Sequence, residues 1–345
     1  MASFDLVIRN TSEVLTLEGE APDALGPLPR GVVGVAAGKV VFLGEESALP
    51  PGAVGPQTQV LDAEGGFVGP GFVDAHTHLV FAGERAEEFD QRNQGIGYLE
   101  IARAGGGIRA TVSAVRRSSE QQLVDLARPR VRRLLAHGVT TAEVKSGYGL
   151  SLADELKMLR AVRQLGEEEA VTLVPTLLCA HAIPEEHQSD RAGYLRLCAE
   201  QIIPQVARES LAGACDVFVE EGAFTVAEAR ALLGAARRSG MVLRLHADQL
   251  TCSGGALLAA ELGARSADHL EQVDAAGIAA LARAKVVAVL APVSTLFLKV
   301  RPYAPGRRLI AAGVQVALAT NVNPGSAMSE NVGLTLGLAD RKSVV

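Results

Sequence analysis

The sequence predicts an α/β fold, a (β/α)8 barrel preceded by a small N-terminal β domain. Three observations predict it. From residue 70 onward, short apolar runs alternate with longer helical stretches, and there are eight such runs. Before residue 68 the pattern differs, with short apolar segments punctuated by Gly, Pro and Asn. Five of the seven histidines fall at the C-terminal ends of the apolar runs, where a barrel of this kind carries its reactive groups.

Length and composition bound the answer. At 345 residues the chain is long for one small domain and ordinary for a barrel with an appendage. Hydrophobic residues at 48% against 21% charged allow a sizeable core and argue against disorder. Tryptophan is absent and aromatics are scarce, so the core is expected to be Ala, Val and Leu, which suits helices around parallel strands. A net charge of −6 with no long basic run argues against nucleic acid as a partner. Cys179, Cys198, Cys215 and Cys252 form no Cys-x-x-Cys pair and follow no secretory leader, so reduced thiols in the cytoplasm are expected. The longest apolar stretch, residues 286–298, is interrupted by Pro292, Ser294 and Thr295 and is too short to span a bilayer. A soluble protein with no membrane partner is expected.

In chain order, residues 4–10, 31–35 and 39–44 read as strands of the small domain, assigned to residues 1–68. Such a sheet is usually incomplete alone, so strands from the far end of the chain are expected to finish it. The eight barrel strands are expected at 72–76, 139–144, 171–177, 215–219, 242–246, 265–268, 286–290 and 316–320, within a barrel assigned to 69–338. Helices are expected at 120–137, 152–165, 191–207, 226–239 and 256–262, some closed by glycine, as at His137-Gly138 and Ser239-Gly240. Residues 82–111 form a long connection carrying Arg85, Tyr98 and Gly105-Gly106-Gly107, too polar and glycine-rich for a core helix. A long loop above a barrel strand is more often functional than not; a surface excursion is the alternative.

The chemistry concentrates in Gly69-Pro70-Gly71-Phe72-Val73-Asp74-Ala75-His76-Thr77-His78. Residues two apart in a strand point the same way, so His76 and His78 would offer two imidazoles to one point. Neutral imidazole is a common ligand of zinc, iron and nickel. The alternative is two polar residues that happen to share a strand end. His181 follows the third strand, His246 closes the fifth, His269 ends the sixth, and Asn321 closes the eighth ahead of Asn323-Pro324-Gly325-Ser326. His137 and His187 fall at a helix end and in a loop and read as solvent-facing. Cys252 reads as a buried small hydrophobe, with a ligand or nucleophile as the alternative. Taken alone, Arg85 and Tyr148 read as a surface salt-bridge partner and a half-buried packing tyrosine.

The order His-x-His on strand one, His on strand five, His on strand six and an acidic position on strand eight resembles the metal-dependent amidohydrolase superfamily. Within it, residues 76–85, 104–108, 143–150, 266–271 and 323–326 are closely similar to the imidazolonepropionase family of histidine degradation, and the similarity runs from about residue 3 to about 338. The resemblance implies hydrolysis of a small molecule, 4-imidazolone-5-propanoate, to N-formimino-L-glutamate with metal-activated water. It implies one divalent ion, zinc or iron, held by His76, His78 and His246, with Asn321 completing the set. His269 would stand beside the attacking water and position or deprotonate it. Arg85 would grip the propanoate carboxylate, Tyr148 and His181 would bond the ring, and Asn323, Gly325 and Ser326 would hold the substrate tail. A homodimer is the commonest state for a soluble enzyme of this size.

The chain departs from the family at three places. Asn321 stands where the superfamily typically has aspartate, and Gln249 where some relatives have glutamate, so both bear on the catalytic proton transfers. Loss of a general base costs about 10²–10⁴ in rate. Glu221 and Asp248 are the nearest acidic alternatives by motif position. The family's closing helices and strands are expected to be missing after residue 338, which leaves the β domain incomplete with unpaired edges. Residues 339–345 are expected to be a non-native tail, the translation of a sequencing adapter joined to a gene fragment. Two other readings stay open: another amidohydrolase acting on a cyclic amide or amidine, such as a nucleobase deaminase, and a truncated, catalytically impaired metal-binding remnant. Arg85 and the 323–326 loop favour a carboxylate-bearing substrate, and Lys145 reads as structural rather than as a carbamylated bridge between two metals.

Overall fold

A computed structural model of the chain describes residues 3–18, 25–96 and 106–341. The chain divides into two compact units, Met1–Gly71 and Phe72–Val345.

Among the described residues the first unit holds seven strands: β1 (Leu6–Arg9), β2 (Glu13–Leu15), β3 (Pro27–Pro29), β4 (Gly31–Ala36), β5 (Lys39–Glu45), β6 (Gln59–Asp62) and β7 (Phe67–Val68). They form a four-stranded sheet in the order β5-β4-β1-β6 and a three-stranded sheet in the order β3-β2-β7. The hairpin between β4 and β5 turns on Ala37 and Gly38, with φ of 51° and 72°. Positive φ at both central residues is the turn whose twist matches paired strands. Val7, Val14, Val32 and Val33 supply the buried side chains. Among the described residues, every strand of these sheets comes from the N-terminal part of the chain rather than from its far end.

The second unit is the barrel. Its strands are β8 (Phe72–Thr77), β9 (Val139–Lys145), β10 (Thr172–Ala180), β11 (Ala214–Val219), β12 (Val242–Ala247), β13 (Ser266–His269), β14 (Val287–Leu290) and β15 (Val316–Leu318). Each pairs parallel with the next in sequence order. All eight expected strands form. The ring is drawn shut beyond the last strand, where the Asn321 N–H donates to the His76 carbonyl at 3.0 Å and the His78 N–H donates to the Val322 carbonyl at 2.9 Å. Asp74, fully buried, adds a side-chain clasp: it accepts from the Thr320 N–H at 3.1 Å and from the Thr320 hydroxyl at 2.5 Å. Burial pushes the Asp74 carboxyl up to about 6, although the Thr320 bonds oppose it.

The eighth strand ends at Leu318, earlier than the expected 320, and Asn321 lies beyond it. Asn321 has φ of 54°, a left-handed conformation that cannot extend a ladder. The expected helix at 191–207 is three pieces, Arg191–Leu197, a π turn at Cys198–Ile202, and Ile203–Arg208. Pro204 has no N–H to give a regular helical bond, and a π turn is how a helix absorbs such a gap. Contrary to expectation, the 82–111 connection carries a helix, Ala86–Asn93, with Glu87 and Glu88 in its first turn and Arg92 in its last, charges that suit the helix dipole. Tyr98 and Gly105 lie outside the described residues.

The outer helices bury one face each. In Glu120–Ala136 that face is Leu123, Val124, Ala127, Val131 and Leu134, at helical spacing, and the helix starts with a capping box between Ser119 and Gln122. Ala339–Arg341 continue the last helix, Val332–Arg341, and residues 342–345 of the expected tail lie outside the described residues. Among the described residues no helix is long and apolar enough to cross a membrane.

Candidate metal centre

Four imidazoles crowd the C-terminal end of the barrel. His76 lies near the end of β8 and His78 just past it, His246 lies near the end of β12 and His269 ends β13. All four are at most 3% exposed. The ligating nitrogens of His76, His246 and His269 lie within 4.8 Å of one another, the one metal-type cluster of His, Cys, Asp or Glu among the described residues. His78 joins it: its Nε2 is 3.1 Å from His76 Nε2 and 3.3 Å from His246 Nε2.

What points these rings inward is a set of carboxylates behind them. His76 Nδ1 donates to Asp268 Oδ2 at 2.6 Å, and His246 Nδ1 donates to Asp216 Oδ1 at 2.9 Å. A proton on each Nδ1 leaves each Nε2 as a bare lone pair, and the lone pairs face a common point. Two neutral imidazoles gain nothing by aiming lone pairs at each other, so the arrangement suits a cation between them. The spacing fits as well, since two nitrogens bound tetrahedrally to one zinc at ~2.0–2.1 Å stand about 3.3–3.4 Å apart. Burial holds His76 and His78 well below the usual histidine range, and it lowers His246 although Asp216 opposes it. Neutral rings are the ligand form.

The carboxylates are themselves anchored. Lys145, at the end of β9 and fully buried, places Nζ 2.7 Å from Asp216 Oδ2, 2.9 Å from Glu143 Oε1 and 3.3 Å from Asp268 Oδ2. Burial alone would lower its pKa, but Asp216, Glu143 and Asp268 outweigh burial and raise it. Burial would likewise raise Asp216, but His246 and Lys145 hold its carboxyl well below the usual range. An ammonium so held has no lone pair for carbamylation.

Of the residues expected on the substrate side, His181 and Tyr148 lie against the histidines. His181 donates from Nδ1 to the Gly147 carbonyl at 3.0 Å and stacks on His78 with ring centroids 5.1 Å apart. Burial pulls its pKa down to about 3, with the neighbouring His246 adding to the effect. Tyr148 is buried, its ring 5.4 Å from His181 and 5.9 Å from His78. The loop carrying Tyr148 is gathered by buried Glu155, which accepts from the N–H groups of Gly147, Gly149 and Leu150 at 3.2, 2.9 and 2.8 Å. Asn323 folds its loop into a tight turn, its Oδ1 accepting from the Gly325 and Ser326 N–H groups at 2.8 and 2.7 Å. Its Nδ2 donates to the Asn321 carbonyl at 2.7 Å and to the Ser326 hydroxyl at 2.8 Å. Gly325 packs on the Arg85 guanidinium so closely that a Cβ there would overlap it. Arg85 is not at the surface, as reading the residue alone suggests: its side chain is 6% exposed, and Nε and Nη2 donate to Glu88 Oε2 at 2.9 and 2.7 Å.

Several residues lie elsewhere than expected. Asp248 accepts from the N–H groups of Gly254, Gly255 and Ala256 at 2.9, 3.1 and 3.0 Å, capping the helix Gly255–Glu261, so it is committed to structure. Glu221 is exposed on the turn after β11. Gln249 is nearly buried in the loop after β12. Cys252 is exposed, not a buried hydrophobe. His187 is half-buried against Tyr194, its ring 5.4 Å away, rather than solvent-facing. Sequence reasoning passed over Asp74, Glu143, Asp216 and Asp268. Their signal was a charged residue inside an apolar strand run, which cannot stay buried unless paired.

No family model matches the chain. Among solved structures, 5-methylcytosine deaminase from Klebsiella pneumoniae aligns with a TM-score of 0.71 at 16% identity, over 97% of this chain and 80% of that one. A zinc-bound adenosine deaminase from Xanthomonas campestris aligns with a TM-score of 0.66 at 18% identity, over 99% and 74%. Those likenesses are of fold, and with the site they define the class: an eight-stranded parallel barrel with a buried, metal-type histidine cluster at its strand ends. An imidazolonepropionase of Myxococcus xanthus is 67% identical over 98% of this chain and 82% of that protein. One from Anaeromyxobacter sp. (strain K) is 56% identical over 97% and 79%. The chain belongs to the imidazolonepropionase family.

Proposed function

We propose that this chain hydrolyses 4-imidazolone-5-propanoate to N-formimino-L-glutamate. Water adds to the ring carbonyl carbon, the ring C–N bond breaks, and the departing nitrogen takes a proton. The observation that carries the reading is the convergence of Nε2 of His76, His78 and His246, with Nδ1 of two of these rings held by carboxylates. A divalent ion bound there, zinc or iron, supplies Lewis acidity to the carbonyl and to water.

His76, His78 and His246 would hold the ion, with Asn321, whose N–H donates to the His76 carbonyl, as the fourth ligand. The His269 Nδ1 is buried with no hydrogen-bond partner and 3.7 Å from Glu271 Oε1, which suits a group that positions or deprotonates water. Gln249 and Asn321 orient groups by hydrogen bonding but cannot take a proton at neutral pH. Arg85, close to Gly325, binds the substrate carboxylate, exchanging or sharing its bond to Glu88. Tyr148 and His181 bond the ring, and the turn of Asn323, Gly325 and Ser326 seats the tail.

The test is turnover of imidazolonepropanoate by the chain loaded with zinc or iron(II), with cytosine and adenosine as comparison substrates. Metal-dependent turnover of imidazolonepropanoate alone supports the reading. Turnover of a nucleobase or nucleoside and not of imidazolonepropanoate overturns it.

A further inference from the structure

The charged layer behind the histidines raises a question the reaction itself does not answer: why a lysine lies fully buried there. Three carboxylates, Glu143, Asp216 and Asp268, sit inside the barrel at no more than 4% exposure. Two of them are the groups that hold His76 and His246. Asp216 faces both ways, with Oδ1 on His246 Nδ1 at 2.9 Å and Oδ2 on Lys145 Nζ at 2.7 Å. Asp268 does the same through one atom, Oδ2 lying 2.6 Å from His76 Nδ1 and 3.3 Å from Lys145 Nζ. The histidines reach the centre from strands on opposite sides of the barrel order, and one ammonium touches both of their supports.

We propose that Lys145 is a positioning residue for the metal centre, a single cation that locks the Asp216 and Asp268 carboxylates and through them the tautomer and aim of His246 and His76. The inference rests on the metal-centre reading above. Without the ammonium, two carboxylates in a water-excluded layer repel each other and turn from the histidines. The Nδ1 protons then lose their acceptors, and the Nε2 lone pairs lose their common target. Glu143 is the third arm, at 2.9 Å on Lys145 Nζ, and completes the set of ammonium acceptors.

Zinc affinity, measured by competition against a chelator, tests this in the wild type and in Lys145→Met, with folding followed by circular dichroism. The expected result is a wild type that binds one zinc and a variant about 10–100-fold weaker, the range for loss of a group that orients a ligand. A role in stability alone lowers the melting temperature of the metal-free variant but leaves the zinc affinity of the folded fraction unchanged, and that result overturns the proposal. A wild type that binds no zinc overturns the metal-centre reading and this proposal with it. If Lys145→Met does not fold, the wild type carries the test through the ¹⁵N resonance of Lys145, the one fully buried ammonium among the described residues. That resonance is picked out among six lysines by slow proton exchange. A shift on zinc addition supports the proposal, and an unmoved resonance overturns it.

Discussion

At Asn321 a side-chain amide stands where a carboxylate of the same shape would fit. Its backbone is held by the His76 carbonyl at 3.0 Å and its side chain lies beside Asn323, whose Nδ2 is 3.3 Å from Asn321 Oδ1. An aspartate of the same shape fits that place and adds a charge and a proton acceptor. Asn321→Asp is therefore expected to raise kcat by about 10²–10⁴, read by steady-state turnover of the metal-loaded protein. Gly325 poses the opposite constraint. Its missing side chain is what lets Arg85 lie against the loop. Gly325→Ala is expected to raise KM for imidazolonepropanoate by roughly 10–150-fold, the weight of a charge-assisted hydrogen bond of ~1.5–3 kcal/mol, with little change in kcat. A fall in kcat with KM unchanged would place Arg85 outside carboxylate binding.

Elements depend on side chains at their ends more than on their interiors. The helix Val226–Arg238 opens with a capping box between Thr225 and Glu228, and Glu228 also pairs with Arg191, its Oε2 2.7 Å from Arg191 Nη2. The Arg191 hydrogen bond leads the causes that bring the Glu228 carboxyl down to about 2 from its ordinary 4.5. A folded-state pKa below the unfolded one means stability that is present above the unfolded value and lost as pH falls toward the folded one. Urea melts are expected to show wild type more stable than Glu228→Gln by about 0.5–1 kcal/mol at neutral pH, the small value set by partial exposure. The difference should shrink as pH falls from 4.5 to about 2. A gap that persists in acid would assign the effect to packing instead of charge. The closing clasp of the barrel is another end effect, since Asp74 accepts both Thr320 donors. Burial raises the Asp74 pKa to about 6, so its protonated form is favoured on folding and this group's contribution weakens as pH rises through that value.

For the whole molecule, three neutral rings with converging lone pairs, His76, His78 and His246, are a cost that a cation removes. Metal binding to the folded state alone adds RT ln(1 + [M]/Kd), or ~2.7 kcal/mol at a hundredfold excess over Kd. For a chain of this length that corresponds to a rise of about 4 °C in Tm, seen by calorimetry with zinc and reversed by a chelator. No rise, or an equal rise for His246→Ala, would remove the metal from the folded-state balance. In the second unit the stability of site and scaffold is one quantity, because Asp74, Asp216, Asp268 and Lys145 hold strands together with the same bonds that orient the histidines.

The barrel was legible in the sequence because its signals are local. Parallel strands covered by helices must be short apolar runs between helical stretches, and all eight appear where those runs are. The pair His76 and His78 was legible for the same reason, since a two-residue period depends only on the strand it sits in. The helix break at Pro204 is also written locally, although the length of the apolar stretch hid it. What lay beyond reach was everything set by which strands stand opposite each other. His76 and Asp268 are 192 positions apart and Asp216 and His246 are 30 apart, and no spacing rule joins them. Taken alone, Arg85 read as a surface salt-bridge partner, whereas the fold lays Gly325 against it, and Asp248, one of two acidic alternatives by motif position, instead accepts from the first N–H groups of the helix at Gly255. Local sequence chooses each element and the direction of its side chains. Only closure of the barrel brings distant carboxylates behind the histidines, because buried charges find their partners through strand order and not through chain distance.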